Sequence, residues 1–204
     1  MNNKLFKKVL ATVLAATLLA MPIVAGATDQ QEAATSAAAE EIKDAAPVSV
    51  GGTVITSDVA GAFSIPASSA LAGVAVRQAS ATIKANLGMA GNEKPFVRAY
   101  AITAAKSPAV FASFNGAAAS VGATVLGALN IDFGKMTAGK FSDLPAGASV
   151  PTTVGVKNAN GRTLAVVKVL PGGATEILQD TDTNPNTVTF PITGGLAAYA
   201  VIAY

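Results

Sequence analysis

SVPTTVGVKNANGRTLAVVKVLPGGATEIL, residues 149–178, is the stretch on which the fold turns. Two runs rich in Val and Thr, 149–158 and 162–171, flank Asn158-Ala159-Asn160-Gly161. Asn-Gly between β-branched runs is a strong hairpin signal, because both residues tolerate the left-handed backbone of a tight turn. Gly172-Gly173 supplies a second tight connection inside LPGGATEIL (170–178). NTVTFPI (186–192) and LAAYAVIAY (196–204), joined by Thr193-Gly194-Gly195, complete an expected meander. Short strands at regular spacing predict a mainly β or α+β domain, an antiparallel β-sandwich or meander (or a partly closed barrel) with one or two short helices. No internal repeat at solenoid spacing is visible.

Upstream, the same alternation is interrupted twice. VSVGGTVIT (48–56), GAFSIP (61–66), GVAVRQ (73–78), FVRAYAIT (96–103) and ATVLGALNIDFG (123–134) read as strands, the last with a break at Gly127. Ser80 is placed to cap a short helix through Ile83 and Leu87, closed by Gly88. Ser107-Pro108 opens a second helix, with a hydroxyl at the cap and Pro at the first helical position, and Gly116 weakens it.

The N-terminus carries an export signal. MNNKLFKK is basic, the apolar run Val9–Ala20 spans 12 residues, and Ala25-Gly26-Ala27 offers small residues at the exit. A membrane span needs roughly 20 apolar residues, and Pro22 and Gly26 interrupt any extension of this run. Residues 1–27 are therefore expected to be a cleaved signal peptide, with no membrane span after processing and a secreted, extracellular or cell-surface location. Residues 28–47 are a polar Ala/Glu-rich spacer with no apolar face to bury, ending at Pro47, and 48–204 form the β-rich globular domain.

Composition then narrows the chemistry. Without residues 1–27, eleven basic residues face twelve acids, a formal charge of −1. With no Trp and no basic run, the electrostatic footprint of nucleic-acid binding is missing. The chain has no Cys, so neither a disulfide nor a lipidated cysteine is available. It has no His, which removes Ser-His-Asp and Cys-His catalysis, His-ligated zinc and imidazole base chemistry.

The polar cluster Asp180-Thr-Asp182-Thr-Asn184-Pro-Asn186 spaces oxygen ligands as a calcium loop does, and Asp180, Asp182, Asn184 and Asn186 are its candidate ligands. An EF-hand is excluded, since position six is Pro185 rather than Gly and position twelve is Pro191 rather than Glu. Asx residues also build turns on their own backbone, and a plain inter-strand loop is the favoured reading. A carboxylate-based hydrolase would need two of Asp58, Glu93, Asp132, Asp143, Glu176, Asp180 and Asp182, and no spacing brackets a pair. Asp132 stands apart because its neighbours in LNIDFGK are apolar; a strand-end position facing solvent is expected for it. Lys106-Ser107 has no dyad signature, and Gly172-Gly173 lacks the Lys-Ser/Thr of a phosphate loop.

Leu164-Ala165-Val166-Val167-Lys168-Val169, Gly172-Gly173, Glu176-Ile177-Leu178, Val188-Thr189-Phe190 and Tyr199-Ala200-Val201-Ile202 together resemble the closing strands of β-sandwich modules in Gram-positive secreted and surface proteins. The resemblance covers about residues 150–204. It departs where a Phe-Ser pair precedes the Tyr in such modules, since Leu196-Ala197-Ala198 stands here. It implies a structural or adhesive module without enzymatic activity. The expectation is a secreted non-enzymatic module of the cell envelope or extracellular space, meeting a surface protein or glycan and using no cofactor unless the loop takes calcium. The alternatives are a pilus or fibre subunit, in which 28–46 is too acidic and Ala-rich for a donor strand, and a small carboxylate hydrolase.

Overall fold

The structure, a computed structural model, describes residues 41–145 and 147–204. The expected signal peptide, and the spacer as far as residue 40, lie outside the described residues. One compact unit runs from Lys43 to Tyr204. Its elements in chain order are β1 (Val48–Val50), β2 (Thr53–Ile55), β3 (Ala60–Ser64), β4 (Leu71–Val76), α1 (Ser80–Asn86), β5 (Glu93–Ile102), α2 (Pro108–Ser120), β6 (Thr124–Thr137), β7 (Lys140–Asp143), β8 (Ser149–Val156), β9 (Leu164–Val169), β10 (Thr175–Gln179), β11 (Thr187–Thr193) and β12 (Ala198–Ala203).

The strands form a sandwich. The large sheet has the order β10-β9-β12-β6-β5-β3, with β7 also paired to β6. The small sheet is β11-β8-β4, and β1-β2 is a separate hairpin. Leu129, Ile131 and Phe133 of β6 and Tyr199 and Val201 of β12 meet Val154, Val188, Phe190 and Ile192 of the small sheet in the main core. Tyr199 packs its ring 5.4 Å from that of Phe190, and its hydroxyl accepts from Thr193 N–H, tying the two sheets at one end.

The opposite face of the large sheet has its own cover. Ala165, Val167, Ala198, Ala200 and Ile202 pack under Phe114 and Ala118 of α2. This explains why β9 and β12 are buried at every position, and why their sequences read as continuous apolar runs rather than alternating ones. It also gives the Ala content a purpose, since small side chains on that face let the helix axis approach closely. The predicted mainly β sandwich with two short helices is the observed fold class.

Several expectations change in detail. Residues 48–56 are a hairpin rather than one strand, because Gly51 (φ 59°) and Gly52 (φ 77°) adopt the left-handed pair that a two-residue turn requires. The residues 149–171 do not form a hairpin: β8 lies between β11 and β4, while β9 lies between β10 and β12. Asn158, Asn160 and Gly161 are all left-handed, and Ala159 between them is fully buried, so the turn carries the chain through the core edge from one sheet to the other. The closing strands are likewise not a meander, since β11 belongs to the small sheet and its neighbours β10 and β12 to the large one. Gly172-Gly173 does join an antiparallel pair, β9 and β10.

β6 passes Gly127 without a break. Its register with β12 steps from Val201–Gly127 to Ile202–Val125, leaving Leu126 as the extra residue of a bulge. One strand pair, β3 with β5, is parallel, which the antiparallel expectation did not include. Ser80 is the first helical residue rather than the cap, and its hydroxyl donates to the Asp58 carbonyl at 2.9 Å. β5 starts before Pro95, where no β3 residue faces it, so the missing N–H leaves no ladder partner unsatisfied.

Candidate functional site

The predicted cation loop connects β10 to β11, and its oxygens follow the backbone. Asp180 Oδ1 accepts from Asp182 N–H at 3.0 Å and from Thr189 N–H at 2.9 Å. Asp182 Oδ1 accepts from Asn184 N–H at 2.8 Å, and Asn184 Oδ1 accepts from Asn186 N–H at 3.0 Å. The second oxygen of Asp182 accepts from the hydroxyls of Thr187 (2.9 Å) and Thr189 (2.6 Å). Asp180, Asp182 and Asn184 thus form three successive Asx turns, the last closing on Asn186 N–H, docked on β11. Asp180 and Asp182 are brought together at Thr189, whereas Asn186 packs against Gly51. Burial pushes the Asp180 carboxyl above its ordinary range, against the two N–H donors and with the Asp182 charge adding to the rise. Among the described residues no three His, Cys, Asp or Glu side chains come together as a metal site.

A second polar group lies on the helix-side face of the large sheet, where β5 and β6 extend past α2. Cross-strand register sets Arg98 opposite Asp132 and Tyr100 opposite Asn130. The Arg98 guanidinium donates to Asp132 Oδ2 at 2.8 Å, and the Asn130 amide donates to Asp132 Oδ1 at 2.8 Å. Phe141 of β7 lies over the guanidinium, 3.8 Å from ring centre to Cζ. Gly134 makes room for that ring, since a Cβ there would sit 2.3 Å from Phe141 Cζ. Asp132 is therefore buried in mid-strand, not exposed at a strand end. Burial raises its pKa, while Arg98 and Asn130 pull it down without cancelling the rise. The same burial raises the Tyr100 phenol, with the Asp132 charge reinforcing it. Arg98 Nε is buried with no hydrogen-bond partner among the described residues.

Asn130 connects this group to a cleft of about 420 Å³ between the start of α2 and the β9–β10 turn. Its floor is Asn130, Val169 and Ala198, and Val110 of α2 forms one wall. Leu170 and Leu196, exposed by 39% and 57%, line it as well. The cleft is apolar but for Asn130, Ser113 and backbone, which suits a small aliphatic body with one hydrogen-bonding function. A more open hollow of about 560 Å³ lies where the β1–β2 turn meets Asn158, Asn160 and Asn186. Lys157 there is committed, its ammonium donating to the carbonyls of Ala67 and Ser69.

The other acids named as hydrolase candidates are dispersed. Glu93 pairs with Lys135, which with the Ala90 N–H holds its carboxyl below the ordinary range. Glu176 stands 3.7 Å from the buried Lys168. Sequence reasoning singled out Asp132 by its apolar neighbours but missed Arg98, Asn130 and Leu196, whose roles depend on strand register. No known protein family, curated protein or solved structure matches the chain.

Proposed function

We propose that this is an exported, non-enzymatic binding module acting in the extracellular space or cell envelope, with the cleft beside α2 as its ligand contact. The observation that carries the reading is the cleft itself: apolar walls, exposed Leu170 and Leu196, and a floor amide held in place by Asp132. One amide N–H of Asn130 is committed to Asp132, which leaves its carbonyl oxygen and second N–H for an occupant. Asp132, Glu93 and Glu176 serve as partners for Arg98, Lys135 and Lys168, and Asp180 and Asp182 accept from loop N–H groups. The likeness of residues 150–204 to closing strands of Gram-positive surface modules agrees with a binding role, and the basic-apolar-small N-terminus supports export.

Two measurements test this. Mass spectrometry of the protein recovered from culture medium is expected to find Thr28 as its first residue; retention of the intact N-terminus inside the cell would sink the export reading. Titration with isovaleramide, followed by amide chemical shifts, is expected to move Val110, Asn130 and Leu196 and to lose effect in Leu196→Glu. Shifts confined to residues elsewhere would remove the cleft from consideration.

A further inference from the structure

Exposed sheet edges present unpaired N–H and C=O groups, and folded proteins cover most of them. Here β3 is strapped by Lys43, which exchanges both backbone hydrogen bonds with Phe63. β4 is strapped by Ala46, whose carbonyl accepts from Val74 N–H, and by Asp58, whose N–H donates to Val76. β11 is strapped by Asp180 and Thr181, both bonded to the backbone of Thr189. β2 and β7 are edges of only three and four residues. β10, at the end of the large sheet, is different: among the described residues its backbone is hydrogen-bonded to β9 alone. In an antiparallel pair alternate residues direct their N–H and C=O groups away from the partner, so β10 presents a ladder ready for one more strand.

We propose that β10 is the docking edge for an extended, basic peptide segment of a partner protein, added as a further antiparallel strand of the large sheet. This rests on the reading of the chain as a binding module, and it names the class of partner. The side chains along the edge define the segment. Glu176 is 57% exposed at the edge, held loosely by Lys168 at 3.7 Å, and offers its carboxylate to a Lys or Arg directly opposite. Ile177 is half-buried against the α2 core and Leu178 against the main core, so apolar residues opposite them extend both cores. The matching antiparallel segment therefore reads apolar-apolar-basic, facing Leu178, Ile177 and Glu176 in turn. A second copy of the chain fits less well. Pairing β10 with itself about Ile177 would set Glu176 of each copy against Leu178 of the other, leaving both carboxylates facing an apolar side chain with no cation across the seam.

The test uses the full processed chain and the blocked peptide Thr-Val-Val-Lys-Thr, with the same peptide N-methylated on alternate amides and a Thr-Val-Val-Glu-Thr version as comparators. Amide hydrogen exchange and chemical shifts are expected to show protection confined to Thr175–Gln179 with the Lys peptide and none with the N-methylated one. Glu176→Gln is expected to weaken binding of the Lys peptide by about two- to fivefold, the range of a cross-strand charge pair. Glu176→Lys is expected to reverse the preference between the Lys and Glu peptides. Lack of protection in β10 with every peptide would overturn the proposal, as would binding indifferent to Glu176. Concentration-dependent dimerisation that protects β10 would overturn it in favour of self-pairing. Isovaleramide binding at the cleft is unaffected by Glu176→Gln if the two sites are separate, so failure of one reading is distinguishable from failure of the other.

Discussion

A carboxylate buried in a sheet is tolerated only where a cation and hydrogen bonds offset its lost hydration, and Asp132 has both in Arg98 and Asn130. Even so, burial wins, and the folded-state pKa stands above the ordinary aspartate value of 3.8. The folded protein then takes up this proton before the unfolded chain does as the pH falls. Stability contributed by the site is present below the unfolded value and is lost as the pH rises through the folded one. Thermal melts of the protein and of Asp132→Asn at a series of pH values check this. The difference between them is expected to shift in favour of the parent on acidification from neutrality toward pH ~4; a shift in the opposite direction would mean that Arg98 dominates burial. Asp132 was visible in the sequence as an acid among apolar neighbours. Its partner was not, because Arg98 lies 34 residues away and only the β5–β6 register brings the two together.

At the scale of elements, most strands and both helices announce themselves through β-branched alternation, Gly turns and Ser-Pro. Their sheet membership does not. The Asn158–Gly161 segment has hairpin chemistry, yet it links two sheets, because β9 has apolar residues on both faces, Leu164 and Val166 on one and Ala165, Val167 and Val169 on the other, and needs the sheet that is covered on both sides. The connection from β10 to β11 also crosses, and it is the element most dependent on side-chain bonds. Asp182→Ala would leave the buried Thr187 hydroxyl without its acceptor and remove one from Thr189, which keeps a 2.8 Å partner in Thr153. The expected cost is about 2 kcal/mol in urea denaturation, that of an unsatisfied buried hydroxyl plus a lost charge-assisted bond. With Asp180 Oδ1, both carboxylate oxygens of Asp182 and Asn184 Oδ1 engaged by N–H and O–H donors, millimolar calcium is expected to leave the melting temperature unmoved. A calcium-dependent rise abolished by Asp182→Ala would assign the loop to a cation instead.

For the molecule as a whole, the composition change at Pro47 suggests where the domain starts, but backbone hydrogen bonding begins earlier. Lys43 exchanges two hydrogen bonds with Phe63, and the Ala46 carbonyl accepts a third from Val74. The approach is close: a Cβ on Gly73 would stand 2.2 Å from the Pro47 carbonyl oxygen. Polar, Ala-rich composition concealed this strap because its attachment is through main-chain atoms, which carry no sequence signature. Residues 43–46 thereby close the exposed edges of β3 and β4, one in each sheet, and so act on both layers of the sandwich. A chain beginning at Val48 loses all three bonds, and at about 1 kcal/mol each it should be roughly 3 kcal/mol less stable than one beginning at Glu41. Denaturant unfolding of the two compares them directly. Because the uncovered strands are edges, the shorter chain is also expected to associate with concentration in sedimentation experiments. Equal stability and equal monomer content would show that the strap is dispensable and that the domain does begin at Val48.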